Sequence, residues 1–387
     1  MNHMDRLRRL CAQQIRTAFE RLDRLRRRQG ELLESSGLGP LEAPYRIIHA
    51  EPGLRVRRYL DDAAPDSPML LIVPAPIKRP YIWDLAPAIS VVRRCLENGM
   101  RVCMAEWMPS GDAEGGADEG AGLADYGSRL LEACFDAIER DSGDTGAVLA
   151  AHSLGGVFAA IFSCSHPRRV RALVLLESPL HFGTDAGDFA PLVAAAPDTQ
   201  PIGRALASVP GSLLSLAAGA AAPRAFQWER GIDWSLSIMH PATLDTCARV
   251  ERWTYDESPL PGTLFADVVE LLYRQDRLMA GTLYMDGRCL GPKNLRAPLL
   301  NVVDPRSTVI PPASILPFHE AAASEVKRIL RYDGDIGVGL QHVGVLVGSR
   351  AHAQLWPAIF DWLAAIGIKP ANRRATPAAV RAPSAAA

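Results

Sequence analysis

The segment GAVLAAHSLGGVFAAIF, residues 146–162, limits what this chain can fold into more than any other stretch. Residues 147–151 are small and apolar and read as a buried strand, while the run after Gly155 reads as a helix, which leaves Ser153 on the turn between them. Sharp strand-to-helix turns that carry a nucleophile read G-x-S-x-G, because the serine backbone is strained and strand and helix approach closely. Here the string is Ala151-His152-Ser153-Leu154-Gly155-Gly156, with alanine keeping the first position small.

Strand-like runs recur around this turn, at 69–74 (MLLIVP), 101–107, 170–178 and 297–303, and helical stretches at 89–99 and 126–140 alternate with them. That rhythm predicts an α/β protein with a mostly parallel central sheet and helices on both faces. With a nucleophile on the turn, it predicts an α/β-hydrolase fold. Residues 184–290 break the rhythm, first rich in Ala, Gly and Pro and then carrying Trp228, Trp234 and Trp253. An insertion of that size between two sheet strands reads as a cap. The expected organisation is an N-terminal amphipathic, Arg-rich helix (1–40), a first core part (41–183), the cap (184–290), a second core part (291–369) and a disordered tail (370–387).

With 42 basic and 43 acidic residues the bulk charge offers nothing to nucleic acid. No run approaches 18 apolar residues, so no transmembrane segment is expected, and the N-terminal charges lack the apolar core of a secretory signal. Seven scattered cysteines without a CxxC pair suit reduced thiols and a cytoplasmic location. There is no HExxH and no spaced Cys/His cluster, so neither metal nor cofactor is expected. Met4, Leu7, Leu10, Cys11, Ile15, Phe19, Leu22 and Leu25 recur at helical spacing and leave the arginines on the other face. Such a helix docks on its own domain or meets a partner or an anionic surface.

A serine hydroxyl is a poor nucleophile until a base takes its proton, and the triad on this fold runs Ser, acid, His along the chain. His342, in a glycine-flanked loop before the final helix, is the expected base. His319 and His352 read as surface residues of helices, and His152 shapes the pocket wall or serves structure alone. Asp304, at the tip of strand 297–303, is the expected acid. One oxyanion donor is the N–H of Leu154. The other comes from the loop Pro74-Ala75-Pro76-Ile77, where the prolines have none to offer.

Several blocks resemble the polyhydroxyalkanoate (PHA) synthases: PIKRPYIWDLAPAISVVRRCLENGMRVCMAEW, LESPLHFGTDAGDF, VERWTYDESPLPGTLFADVVELLYRQDRLMAGTL and PLLNVVDPRSTVIPPAS. The resemblance covers roughly residues 65–365 and implies Ile77 as the second oxyanion donor and His342 as general base. Two positions depart from it. The family's cysteine nucleophile is replaced by Ser153, and the position of its orienting aspartate is Ser307. Asp304 is expected to take that role, with Glu177, at the end of the preceding strand, as the alternative.

The resemblance implies a small-molecule substrate, a 3-hydroxyacyl-CoA or related acyl ester. A serine ester is close in energy to the polymer linkage, so transfer to another hydroxyl loses its driving force while transfer to water keeps it. Hydrolysis is therefore the favoured expectation. Polymerisation of 3-hydroxyacyl-CoA is the alternative, and a non-catalytic relative, using its N-terminal helix toward a partner or granule, is the third. Homo-oligomerisation belongs to the same expectation. Trp228, Trp234 and Trp253 are candidate walls of an acyl pocket, or ordinary core.

Overall fold

The structure, a computed structural model, describes residues 3–109, 116, 118, 120–196 and 207–369, with side chains from residue 13 onward apart from residue 242. The tail expected at 370–387 and most of the acidic glycine-rich loop lie outside the described residues.

Eight strands form the central sheet: β1 (Tyr45–Glu51), β2 (Leu54–Tyr59), β3 (Met69–Val73), β4 (Arg101–Trp107), β5 (Ala147–His152), β6 (Val170–Leu176), β7 (Leu299–Val303) and β8 (Lys327–Arg331). Their order is β1-β2-β4-β3-β5-β6-β7-β8. From β4 to β8 all pairs are parallel, and only the β1–β2 hairpin and its junction with β4 are antiparallel. Strand side chains alternate between faces, and here both faces are apolar. Leu71, Val73, Leu149 and Leu173 face one core with α3 (Leu130–Ser142) and α4 (Leu154–Ser165), which contribute Phe135, Phe158 and Phe162. Leu70, Ile72, Val148 and Val174 face the other, with α2 (Val91–Glu97) and the C-terminal helix Trp356–Ala365 supplying Val92, Cys95, Trp356 and Ile359. Each such side chain contributes about 1.5–3 kcal/mol by burial, so near-continuous apolar strands are stable only when covered on both sides.

Strands β1, β2 and β8 escape the sequence reading because their runs, such as LRVRRY, carry arginines. Arg57 is nonetheless buried, its Nε 2.9 Å from Glu106 Oε2 and its Nη1 2.5 Å from Glu42 Oε1. A guanidinium enters a sheet only with such carboxylate partners.

Between β6 and β7 the chain leaves the sheet for helices that include α5 (Gly211–Ala221), α6 (Arg230–Ser237) and α7 (Pro241–Thr254), followed by the small hairpin Leu283–Leu290. The N-terminal helix α1 (His3–Leu33) lies on this insertion. Asp23 accepts the N–H of Ser212, the Ser212 hydroxyl donates to Phe19 O, and Arg26 pairs with Glu257 at 3.0 Å. Within the described residues the helix thus packs on its own chain. None of the described helices is long and apolar enough to cross a membrane.

Candidate active site

Ser153 follows directly on β5 with φ 54° and ψ −130°, a conformation that L-residues avoid. Holding it there costs on the order of 1–3 kcal/mol, offset by the sheet behind it and the helix ahead. The following glycines are required by space. A Cβ on Gly155 would lie 2.3 Å from Val73 O, and one on Gly156 would lie 2.0 Å from Ser178 Oγ. Backbone bonds tie the neighbouring strand ends together: Ser153 N–H donates to Leu176 O, and Glu177 N–H to Val302 O. Ser153, Glu177 and Asp304 thereby sit at the carboxyl ends of adjacent parallel strands, where open α/β sheets place their ligands.

His342 is 13% exposed at its side chain, and its Nδ1 lies 3.0 Å from Glu177 Oε2. Its ring centroid is 4.4 Å from that of His152, whose Nε2 lies 2.8 Å from the His342 carbonyl oxygen. A carbonyl only accepts, so His152 is the Nε2–H tautomer, and burial holds its pKa well below the usual histidine value. Burial likewise pushes His342 down to about 4. In the tautomer that donates Nδ1–H to Glu177, Nε2 is the basic nitrogen of the ring. Burial, and next the Asp304 charge, raise the Glu177 carboxyl well above its ordinary value. Its second oxygen, Oε1, is buried and has no hydrogen-bond partner among the described residues.

Asp304, the expected acid, is not the group on His342. It is buried at the tip of β7, and its Oδ1 accepts the backbone N–H of Arg306 at 2.8 Å. Arg306 Nε stands 3.5 Å from the same oxygen. Ser307, in the position of the resembling family's aspartate, uses its hydroxyl to accept Ile310 N–H and cap the turn. The carboxylate beside the imidazole comes instead from the end of β6, one strand earlier.

Leu154 opens α4, so its N–H is an unpaired first-turn donor by position. The loop carrying Ile77 is pinned from both sides. Trp107 Nε1 donates to Pro74 O at 2.7 Å, Ser258 N–H donates to Ile77 O at 3.1 Å, and Trp253 Nε1 donates to Arg79 O at 2.8 Å. Next to Ile77, Lys78 is half-buried between Thr254 O (2.6 Å) and Glu257 (3.6 Å), and desolvation pulls its pKa down to about 8.

A cleft of about 670 Å³ separates the insertion from the sheet edge. Glu177, Asp304, Ser307 and His342 line it from the core, and Ile232, Asp233, Leu236 and His240 from the insertion. Of the three tryptophans expected to wall a pocket, none lines this cleft. Trp228 is exposed, Trp253 is buried against the Ile77 loop, and Trp234 Nε1 lies 3.4 Å from Glu251. His319 and His352 are not surface residues: both are buried, His319 against Asn301 and His352 against Leu346 O. Sequence reasoning also missed Asp233 and Asp335. Asp335 accepts from Tyr332 OH, Ser349 Oγ and the N–H groups of Arg350 and Ala351, and no local motif announces such a role.

Parallel sheet, strained serine and a carboxylate-paired histidine are features of the α/β-hydrolase fold, and residues 81–209 match the family model of that fold. Solved structures agree at the level of fold: an enol-lactonase from Burkholderia xenovorans (TM-score 0.50, 15% identity, covering 83% of this chain and all of that one) and naproxen esterase from Bacillus subtilis (0.50, 13%, 88% and 98%). Within that fold the chain is PHA synthase-like. It is 28% identical over 331 residues to the poly(3-hydroxyalkanoate) polymerase subunit PhaC of Haloferax mediterranei, covering 84% of this chain and 64% of that one. It is 25% identical over 338 residues to PhaC of Allochromatium vinosum, covering 86% and 91%. The chain thus spans just under two thirds of the haloarchaeal relative and most of the shorter bacterial one.

Proposed function

We propose that the chain is an acyl-transfer enzyme with Ser153 as nucleophile, His342 as general base and acid, and Glu177 as the carboxylate that orients His342. The observation that carries this reading is the 3.0 Å contact between His342 Nδ1 and Glu177 beside a strained serine turn. His342 Nε2 takes the Ser153 proton as the hydroxyl attacks an acyl carbonyl. The N–H groups of Leu154 and Ile77 hold the oxyanion. His342 then protonates the leaving group and activates the acceptor in the second half-reaction. Residues 184–290 act as a cap over a cleft that reaches His342 and Glu177.

The relatives are polymerases by name, and this favours 3-hydroxyacyl-CoA as donor and a hydroxyl as acceptor. That weight falls on polymerisation, which the sequence reading held as its alternative. The second reading, hydrolysis, is favoured by one specific set of residues: serine replaces the thiol, and the acid stands on β6 at Glu177 while Ser307 only caps a turn. An ester intermediate keeps its driving force toward water but not toward another hydroxyl.

The deciding experiment incubates the protein with 3-hydroxybutyryl-CoA and identifies the acyl product, with Ser153→Ala as control. Serine-dependent oligomer establishes polymerisation, and serine-dependent free acid establishes hydrolysis. Release of coenzyme A at equal rates by the Ser153→Ala protein would refute serine catalysis.

A further inference from the structure

Resting on the catalytic reading above, we infer that Asp233, on insertion helix α6, is a positioning residue that holds the His342 loop in its working conformation. Asp233 is 5% exposed, and each of its carboxylate oxygens accepts one backbone N–H from the segment just before the histidine. Oδ1 lies 2.7 Å from Gly337 N, and Oδ2 lies 2.7 Å from Gly339 N. Both glycines have left-handed φ, +80° and +68°, which turns their N–H groups toward one point. Such a concave pair of N–H donors binds an anion, and here the anion is a side chain from another part of the chain. His342 follows three residues after Gly339.

The other holds on His342 come from the core: Glu177 on the ring and His152 on the carbonyl. Asp233 supplies a hold from the insertion. The contact has no slack, since a Cβ on Gly337 would lie 2.3 Å from Thr243 Cβ of α7. Losing the carboxylate would leave two buried N–H groups unpaired, and the loop would rearrange to satisfy them. Asp233 also lines the cleft, beside Ile232 and one turn before Leu236 on the same helix. Whatever fills the cleft therefore presses on the helix that holds the catalytic base. The base is set only while the insertion is docked.

The test uses the full chain and compares wild type with Asp233→Asn, Asp233→Ala and, as a control in the same insertion, Ser212→Ala, whose hydroxyl contacts α1 and not the histidine loop. Asn preserves shape but turns one oxygen into a donor facing an N–H, so it retains the fold more readily than Ala. Two rates are measured: covalent labelling of Ser153 by a fluorophosphonate and turnover of a p-nitrophenyl acyl ester, with melting temperature alongside. Misplacing a catalytic group by about 1 Å costs on the order of 100-fold. Asp233→Asn is expected to slow labelling and lower kcat by about 10- to 100-fold, with KM unchanged within about twofold, while Ser212→Ala keeps wild-type rates. Wild-type rates in folded Asp233→Asn would overturn the inference. So would rates that fall only in step with melting temperature across all three variants. A wild-type protein that neither labels nor turns over would sink the catalytic reading first, and this inference with it.

Discussion

Glu177→Gln and Asp304→Asn, made separately, divide the two carboxylates by what they touch. Glu177 is 1% exposed, and among the described residues the only hydrogen-bond partner of its carboxylate is His342 Nδ1. The amide in its place offers a donor as readily as an acceptor, which favours the wrong imidazole tautomer and removes the charge that stabilises the imidazolium. The equivalent change in a serine triad lowers kcat about 10⁴-fold, or about 5 kcal/mol of transition-state stabilisation at 1.36 kcal/mol per tenfold. A glutamate contributed from a neighbouring strand end should approach that figure, so a loss of about 10³- to 10⁴-fold is expected. Asp304 instead accepts a backbone N–H two residues on and meets an Arg306 side chain that is 63% exposed. An asparagine keeps the first contact, and the 3.5 Å pairing with the solvent-exposed Arg306 contributes at most about 1 kcal/mol. Activity should stay within about threefold. The assay is steady-state hydrolysis of a p-nitrophenyl ester, with the serine-labelling rate as a check that does not depend on product release. Equal losses in the two variants, or near-normal activity in Glu177→Gln, would refute the assignment.

The pH profile carries a sign as well. Burial holds His342 at about 4, so the imidazole is in its base form at neutral pH. The profile of kcat/KM should therefore stay flat from neutral pH downward past 6.5 before it falls. Removing the Asp304 charge, which raises Glu177, should move that fall to lower pH in Asp304→Asn. A midpoint at the ordinary histidine value would contradict both points. Ser153→Cys replaces the ester intermediate by a thioester and is expected to raise the ratio of oligomer to free acid formed from 3-hydroxybutyryl-CoA, read by mass spectrometry; an unchanged ratio would detach reaction type from the nucleophile. Gly156→Ala forces a Cβ onto Ser178, with a destabilisation of about 1–3 kcal/mol by urea unfolding and partial recovery in the double variant with Ser178→Gly. Lys78→Ala leaves the buried Glu257 carboxylate with Arg26 as its remaining cation and should cost about 3 kcal/mol, together with activity, because the same segment carries Ile77.

What could be read from the chain was decided by how local the cause is. The strand of residues 147–152 and its serine turn are legible because small residues, strain and close packing all act within ten positions. The parallel strands β3 to β7 are legible for a similar reason, since burial on both faces makes each a largely apolar run. Strands β1, β2 and β8 were hidden: LRVRRY looks like surface until Glu42 and Glu106 arrive from elsewhere to pair with Arg57, and KRILR is largely exposed at the sheet edge. His342 was found through its glycine-flanked loop, yet what sets that loop, Asp233, lies 109 positions earlier in an insertion with no motif. The acid is the sharpest case. Strand tips of β6 and β7 both carry carboxylates, three-dimensional neighbours whose order along the chain gives no hint of which faces the imidazole. Motif position argued for Asp304, and the imidazole contact goes to Glu177. A triad is a geometric object, so which carboxylate meets the imidazole becomes visible only when two adjacent strands are laid side by side, and the serine at 307 is the one local sign that the β7 turn departs from the resembling family's pattern.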